Sequence, residues 1–263
     1  MFRLIASDID GTLLRDDGSM SDRTVAALAA AEDAGLVVVL CTGRPIRWMK
    51  AIAEATGHHG LAVCANGAVV YDMHTEQVVE EFPLDVEIAR RLAEALREAV
   101  PGVAFAVERA AGMWHEPGYV PLGRFETIET TFDDMLTEPM MKLIAKHPDM
   151  DSTALHAAAH DTVAELADLA ETTYSSGSIV EISAVGITKA FGLERLASER
   201  GIDVAEVIAF GDMPNDIPML AWAGRGVAVG NAHPDVIAIA DEVCATNEDD
   251  GPAQLIEALL DSQ

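Results

Sequence analysis

Apolar, β-branched runs recur along the chain at 2–7, 36–41, 61–64, 206–210, 226–229 and 242–245. Several are apolar on both faces, as parallel strands covered by helices on either side must be. Helical patterns lie between them. Over 21–34, Ser21 predicts an N-cap and Gly35 a stop, with Val25, Leu28 and Ala29 on one face. Pro45 suits the first residue of the next helix. Lys189 opens a segment in which Ala190, Leu193 and Ala197 share a face, and a last helix spans 253–260. Strand–helix alternation predicts an α/β fold, a doubly wound Rossmann-like parallel sheet with ligands at the carboxyl ends of its strands.

The middle of the chain breaks this rhythm. From Phe82 and Pro83 to about Gly186 the pattern is helix, short strands, then helix again. Val86, Ala89, Leu92, Ala93 and Leu96 make one helix face. Strands are expected at 103–108, 113–116 and 141–146, a helix at 161–170, and a turn at 175–178 before a strand at 179–183. Such a stretch is too long for a loop. It predicts an α+β domain at 83–186, inserted into a core made of 1–82 and 187–263.

The polar residues that matter sit where the apolar runs stop. The first run ends in Asp8, Ile9, Asp10, Gly11 and Thr12. Residues i and i+2 of a strand share a face, so Asp8 and Asp10 can project together. Like charges so placed need a cation or a shared proton. Gly11 permits a sharp turn that bares N–H groups to an anion, with Thr12 beside it. An acidic turn without chemistry is the plainer reading of these residues alone. The second run, however, ends in Thr42, Gly43 and Arg44, and a later one in Gly211, Asp212, Asn215 and Asp216. Lys189 follows the inserted stretch.

With these four elements in this order, the chain resembles the haloacid dehalogenase-like hydrolases, and within them the Cof-type phosphatases of subclass IIB. The resemblance implies that Asp8 is a nucleophile forming an aspartyl-phosphate and Asp10 the general acid–base. It implies that Lys189 ties Asp8 to the transferring phosphoryl group, and that Gly11, Thr12, Thr42 and Gly43 bind phosphate. Mg²⁺ is the implied cofactor, held by Asp8, the backbone carbonyl of Asp10, and Asp212. Asp216 ligates the ion or orients its waters; the latter is favoured. Asn215 binds phosphate or orients its neighbours, and capping a helix N-terminus is the plainer role of both Asp216 and Asn215. Arg44 either reaches the substrate or forms a surface ion pair. Asn66, Gly67 and Ala68 face the site or make a plain tight turn. Gly230, Asn231, Ala232, Asp250 and Gly251 read as turns. The resemblance makes the insert a cap that selects the substrate, with His115, Glu116, Arg124, Lys142 and His147 as candidate selectors.

Charge narrows the partners. With 44 acidic and 17 basic residues the net charge is −27, which argues against nucleic acid and anionic membranes. Cys41, Cys64 and Cys244 show neither zinc nor disulfide spacing and read as reduced, packed thiols. No run reaches the roughly 18 apolar residues of a membrane span, and the first residues start a strand rather than a signal peptide. The expectation is a cytoplasmic monomer or small homo-oligomer: a Mg²⁺-dependent phosphatase for a small phosphorylated, sugar phosphate-like metabolite. A phosphotransferase or phosphomutase on the same core, and a non-catalytic metabolite-binding protein, are the alternatives.

Overall fold

The computed structural model describes residues 1–57, 60–121, 126–166, 168–175 and 178–261. In chain order the elements are β1 (Leu4–Ser7), α1 (Asp22–Asp33), β2 (Val37–Cys41), α2 (Met49–Thr56), β3 (Leu61–Cys64), β4 (Val69–Asp72) and β5 (Gln77–Glu81). Then come α3 (Val86–Ala99), β6 (Ala104–Arg109), β7 (Gly112–His115), β8 (Ile128–Glu129), α4 (Phe132–Met135), β9 (Lys142–Lys146), α5 (Ser152–Glu165), β10 (Ala170–Thr173) and β11 (Val180–Ala184). The chain closes with α6 (Lys189–Glu199), β12 (Val207–Gly211), α7 (Ile217–Trp222), β13 (Arg225–Ala228), α8 (Pro234–Ile239), β14 (Glu242–Val243) and α9 (Gly251–Asp261). It divides into two compact units, Met1–Glu80 with Thr188–Gln263, and Glu81–Ile187. Among the described residues no helix is long and apolar enough to cross a membrane.

The first unit carries an eight-stranded sheet in the order β14-β13-β12-β1-β2-β3-β4-β5. Its pairings from β14 to β3 are parallel, as the two-faced apolar runs require, and β4 returns antiparallel along β3. Leu4, Ala6, Val39, Val63, Val207 and Ala209 from four adjoining strands pack with Leu193 and Leu196 of α6. The order places β1 centrally, between β2 and β12. Chain segments some 200 residues apart therefore end side by side.

The second unit carries a six-stranded sheet, β10-β11-β9-β6-β7-β8. Leu92 and Leu96 of α3 and Leu155, Ala159 and Val163 of α5 bury one face against Phe105, Val107, Leu143 and Ile182. The alternate residues, among them Glu108, His115, Lys142 and Glu181, belong to the other face by register and are also buried.

Several local expectations are corrected. The helix expected at 161–170 is α5, which starts at Ser152 because Asp151 caps it by accepting from the Ala154 N–H. The alanine-rich turn after that cap has no clear apolar stripe, and 170 already belongs to β10. In α1 the Ser21 cap forms, but the buried stripe is Thr24, Ala27, Leu28 and Ala31, with Ala29 exposed. Pro45 is extended and precedes a 3-10 turn at Ile46–Trp48, so α2 begins only at Met49. Strands β4, β5, β8 and β10 were not expected; they are short, and β5 is polar and largely exposed at a sheet edge. The turn expected at 175–178 falls partly outside the described residues.

Candidate active site

Register sets the site. Ser7 pairs with Phe210 across β1 and β12 and with Leu40 across β1 and β2. The Asp8 N–H then bonds the Phe210 carbonyl at 2.9 Å, just before Asp212. On the other side the Thr42 N–H bonds the Val63 carbonyl at 2.8 Å. Asp8, Thr42 and Asp212 thus leave their strands at the same, carboxyl end of the sheet.

Thr188 caps α6, its hydroxyl accepting from the Phe191 N–H, and Lys189 is the first helical residue. Lys189 is 0% exposed, and its Nζ donates to Asp8 Oδ1 at 2.5 Å and to Asp216 Oδ1 at 2.6 Å. Asp216 Oδ2 accepts from the backbone N–H groups of Asp212 and Met213, both at 3.0 Å. Both Asp216 oxygens are therefore engaged. Asp212 Oδ1 accepts from the Thr12 hydroxyl at 2.9 Å. The loop carrying Thr12 can lie this close only because residue 11 is glycine. Its φ is +78°, and a Cβ there would fall 2.5 Å from Asp212 Oδ2.

Three carboxylates share this space with one ammonium group. Burial pushes the Asp8 carboxyl well above its ordinary range; Lys189 opposes the shift, while Asp216 and Asp212 add to it. Burial and Asp216 push Asp212 up to about 7. Burial disfavours the charge on Lys189, but Asp216 and Asp8 outweigh it and hold the ammonium firmly protonated.

Oxygens of Asp8, Asp212 and Asp216 lie within 4.8 Å of one another, a donor set that can hold a metal ion. Lys189 takes one oxygen of Asp8 and Thr12 one of Asp212, and the two carboxylates lie within hydrogen-bond reach of each other, where a cation can replace a shared proton. An all-oxygen set of excess negative charge suits a hard divalent ion. These residues fit such an ion.

Asp10 lies outside this cluster. Its side chain is 55% exposed and forms a two-point pair with Arg44, whose Nε and Nη2 donate at 2.7 and 2.5 Å. Arg44 thus makes an ion pair with Asp10. The Arg44 N–H donates to the Thr42 hydroxyl oxygen at 3.0 Å across Gly43. Asn215 is buried and donates from Nδ2 to Asn66 Oδ1 at 3.1 Å.

Asn231, read only as part of a turn, and Asn247, not singled out in the sequence, brace the loop after β1. Asn231 donates to the Gly11 carbonyl at 2.8 Å, and Asn247 to the Leu14 carbonyl at 3.0 Å. Nothing local marks them, because their partners lie at the other end of the chain. In the second unit, Lys142 pairs with Glu181, both buried. Glu116 accepts from Arg97 at 2.7 Å and from the Phe105 N–H at 2.8 Å. The His115 Nδ1 lies 3.2 Å from the Glu116 carbonyl, and the His147 Nε2 3.2 Å from the Pro101 carbonyl. Arg124 lies outside the described residues.

Residues 5–256 match the profile of the haloacid dehalogenase-like hydrolases. The chain is 30% identical over 268 residues to the Bacillus subtilis 5-amino-6-(5-phospho-D-ribitylamino)uracil phosphatase YitU, covering 97% of this chain and 96% of that one. It is 31% identical over 270 residues to the Escherichia coli pyridoxal phosphate phosphatase YbhA, covering 98% of each. Among solved structures, BT1666 from Bacteroides thetaiotaomicron, a phosphatase of the same superfamily, superposes with a TM-score of 0.81. That match is 25% identical and covers 98% of this chain and 95% of the other.

Proposed function

The chain belongs to the haloacid dehalogenase-like hydrolases, and from that premise we propose that it is a Mg²⁺-dependent phosphatase acting on a small phosphorylated metabolite through an aspartyl-phosphate. The observation that carries this reading is the buried Lys189 bonded to Asp8 beside Asp212. Such an arrangement is expensive for folding and useful for moving a dianion.

An oxygen of Asp8 attacks phosphorus as the bond from phosphorus to the ester oxygen breaks. Free of Arg44, Asp10 takes a proton from solvent water and gives it to the departing oxygen. The products of this step are the free alcohol and phosphorylated Asp8. Water then attacks the same phosphorus and Asp10 takes its proton. The acyl phosphate bond breaks, Asp8 is restored and inorganic phosphate leaves. Lys189 and the Thr42 hydroxyl hold the phosphoryl oxygens and their growing charge. Mg²⁺, held by Asp8, Asp212 and the Asp10 carbonyl, neutralises phosphoryl charge when bound. Asp216, with both oxygens engaged, orients Lys189 and the Asp212 loop.

The insert, 83–186, selects the leaving group in this reading. Substitutions at His115 and Lys142 should change the ranking of substrates more than turnover of a generic ester. YitU and YbhA are named for phosphate esters of ring-bearing metabolites. Sugar phosphates, phosphorylated pyrimidine precursors and phosphorylated cofactors are therefore the panel to screen. Phosphate release should vanish in EDTA and return with Mg²⁺. Full turnover in metal-free buffer, or no release from any ester of the panel, would overturn the proposal.

A further inference from the structure

Between β3 and β4 the chain does something costly. Ala65 has φ +50° and Asn66 φ +58°, both left-handed, and Gly67 follows at +107°. Left-handed backbone is unfavourable for alanine and tolerable for asparagine. The strain is held by hydrogen bonds on two sides. The Ala65 N–H donates to the Arg44 carbonyl and the Asn66 N–H to the Thr42 carbonyl, both at 3.0 Å. Across the turn a Cβ on Gly67 would lie 2.0 Å from the Thr188 carbonyl oxygen, where α6 and Lys189 begin. The turn is thus wedged between the Thr42 loop and the start of the Lys189 helix.

What it holds is one amide. Asn66 is 3% exposed and Asn215 5% exposed, and the two side chains bond each other at 3.1 Å. Asn66 Nδ2 and Asn215 Oδ1 are then buried with no partner among the described residues. Flipping both amides moves the deficit without removing it: one NH₂ and one carbonyl oxygen stay unpaired in either assignment. Buried polar groups without partners are rare, and backbone strain gathers at functional sites. Asn215 sits next to Asp216, which bonds Lys189 at 2.6 Å.

We propose that Asn66 is a phosphate-binding residue of the phosphoryl-transfer site: the bond it accepts from Asn215 fixes its amide so that its own N–H stays free for an oxygen of the phosphoryl group. This rests on the phosphatase reading above. Stability gains nothing from the arrangement; anion binding does.

Two variants test it, with p-nitrophenyl phosphate as substrate and inorganic phosphate as competitive inhibitor. Asn66→Gly removes the amide and suits the left-handed backbone. Its melting temperature should equal or exceed that of the wild type. Its kcat/KM should fall about 10–100-fold, the usual effect of losing one hydrogen bond to a charged group, and inhibition by phosphate should weaken in step. Asn66→Asp keeps the shape and an acceptor for Asn215 but offers no N–H, and it should lose at least as much. A wild-type protein inactive on every ester speaks against the phosphatase reading itself. An active wild type matched by Asn66→Gly in kcat/KM and phosphate inhibition overturns this inference alone. So does Asn66→Asp more active than Asn66→Gly, or a melting temperature lowered in both variants, which would make the turn merely structural.

Discussion

Replacing Lys189 by methionine removes one charge from a space that holds three carboxylates. The side chain is 0% exposed and makes two bonds, of 2.5 Å to Asp8 and 2.6 Å to Asp216. Methionine fills much the same volume, so the loss is electrostatic. Breaking a buried pair from one side costs about 3–5 kcal/mol, because the abandoned charge stays buried. In a chain of this length each kcal/mol lowers the melting temperature by about 2–4 °C, so a fall of about 6–20 °C is expected in EDTA. Mg²⁺ should restore more stability to the variant than to the wild type, since more uncompensated charge awaits it. Turnover should not recover with it. Losing a preorganised donor at a developing oxyanion costs about 10²–10³-fold in kcat. Differential scanning fluorimetry with EDTA or Mg²⁺ and p-nitrophenyl phosphate kinetics measure both effects. A melting temperature in EDTA changed by less than about 2 °C, under one kcal/mol, would refute the claim that Lys189 neutralises this cluster. Wild-type turnover would refute its part in the chemistry.

Asp8→Asn should form no phosphoenzyme, whereas Asp10→Asn should slow alkyl ester cleavage by about 10²–10⁴-fold and accumulate mass on Asp8 from an activated donor. Asp10 pairs with Arg44 at a 55% exposed side chain, so its loss should barely change the melting temperature; intact alkyl ester turnover, or label on another residue, would show the roles to be misassigned. Burial raises the Cys41 thiol well above its ordinary range, and burial raises Cys244 to about 11, so neither offers much thiolate at pH 8. The native protein should react with a thiol reagent at these positions only on denaturation; rapid native labelling of Cys41 would show that β2 opens.

Some of this was legible from local pattern. Asp8, Thr42, Lys189 and Asp212 each sit at a boundary legible in the sequence, either an apolar run that stops or a helix that starts, and only the family resemblance gave them roles. Those boundaries come from short-range physics: strand alternation, capping and glycine turns. Alternation also marked the parallel core, since its strands are buried on both faces. Helix α5 and the edge strands were harder. An alanine-rich helix lacks a distinct polar face, and a short edge strand lacks an apolar one.

The fine structure of the site was decided by the fold. Lys189 can bond both Asp8 and Asp216 because the sheet order sets β12 against β1. Arg44 had two open alternatives, and its pair with Asp10 forms only because the loops after β1 and β2 meet. Asn66 read equally as a plain turn; its strain and its bond to Asn215 exist only where loops 149 residues apart converge. The sequence by itself determined which residues are able to do chemistry and at which strand ends they lie, because those facts depend on neighbours a few positions away. The tertiary structure decided which of them meet and which oxygens are already engaged, because those facts depend on contacts between segments far apart along the chain.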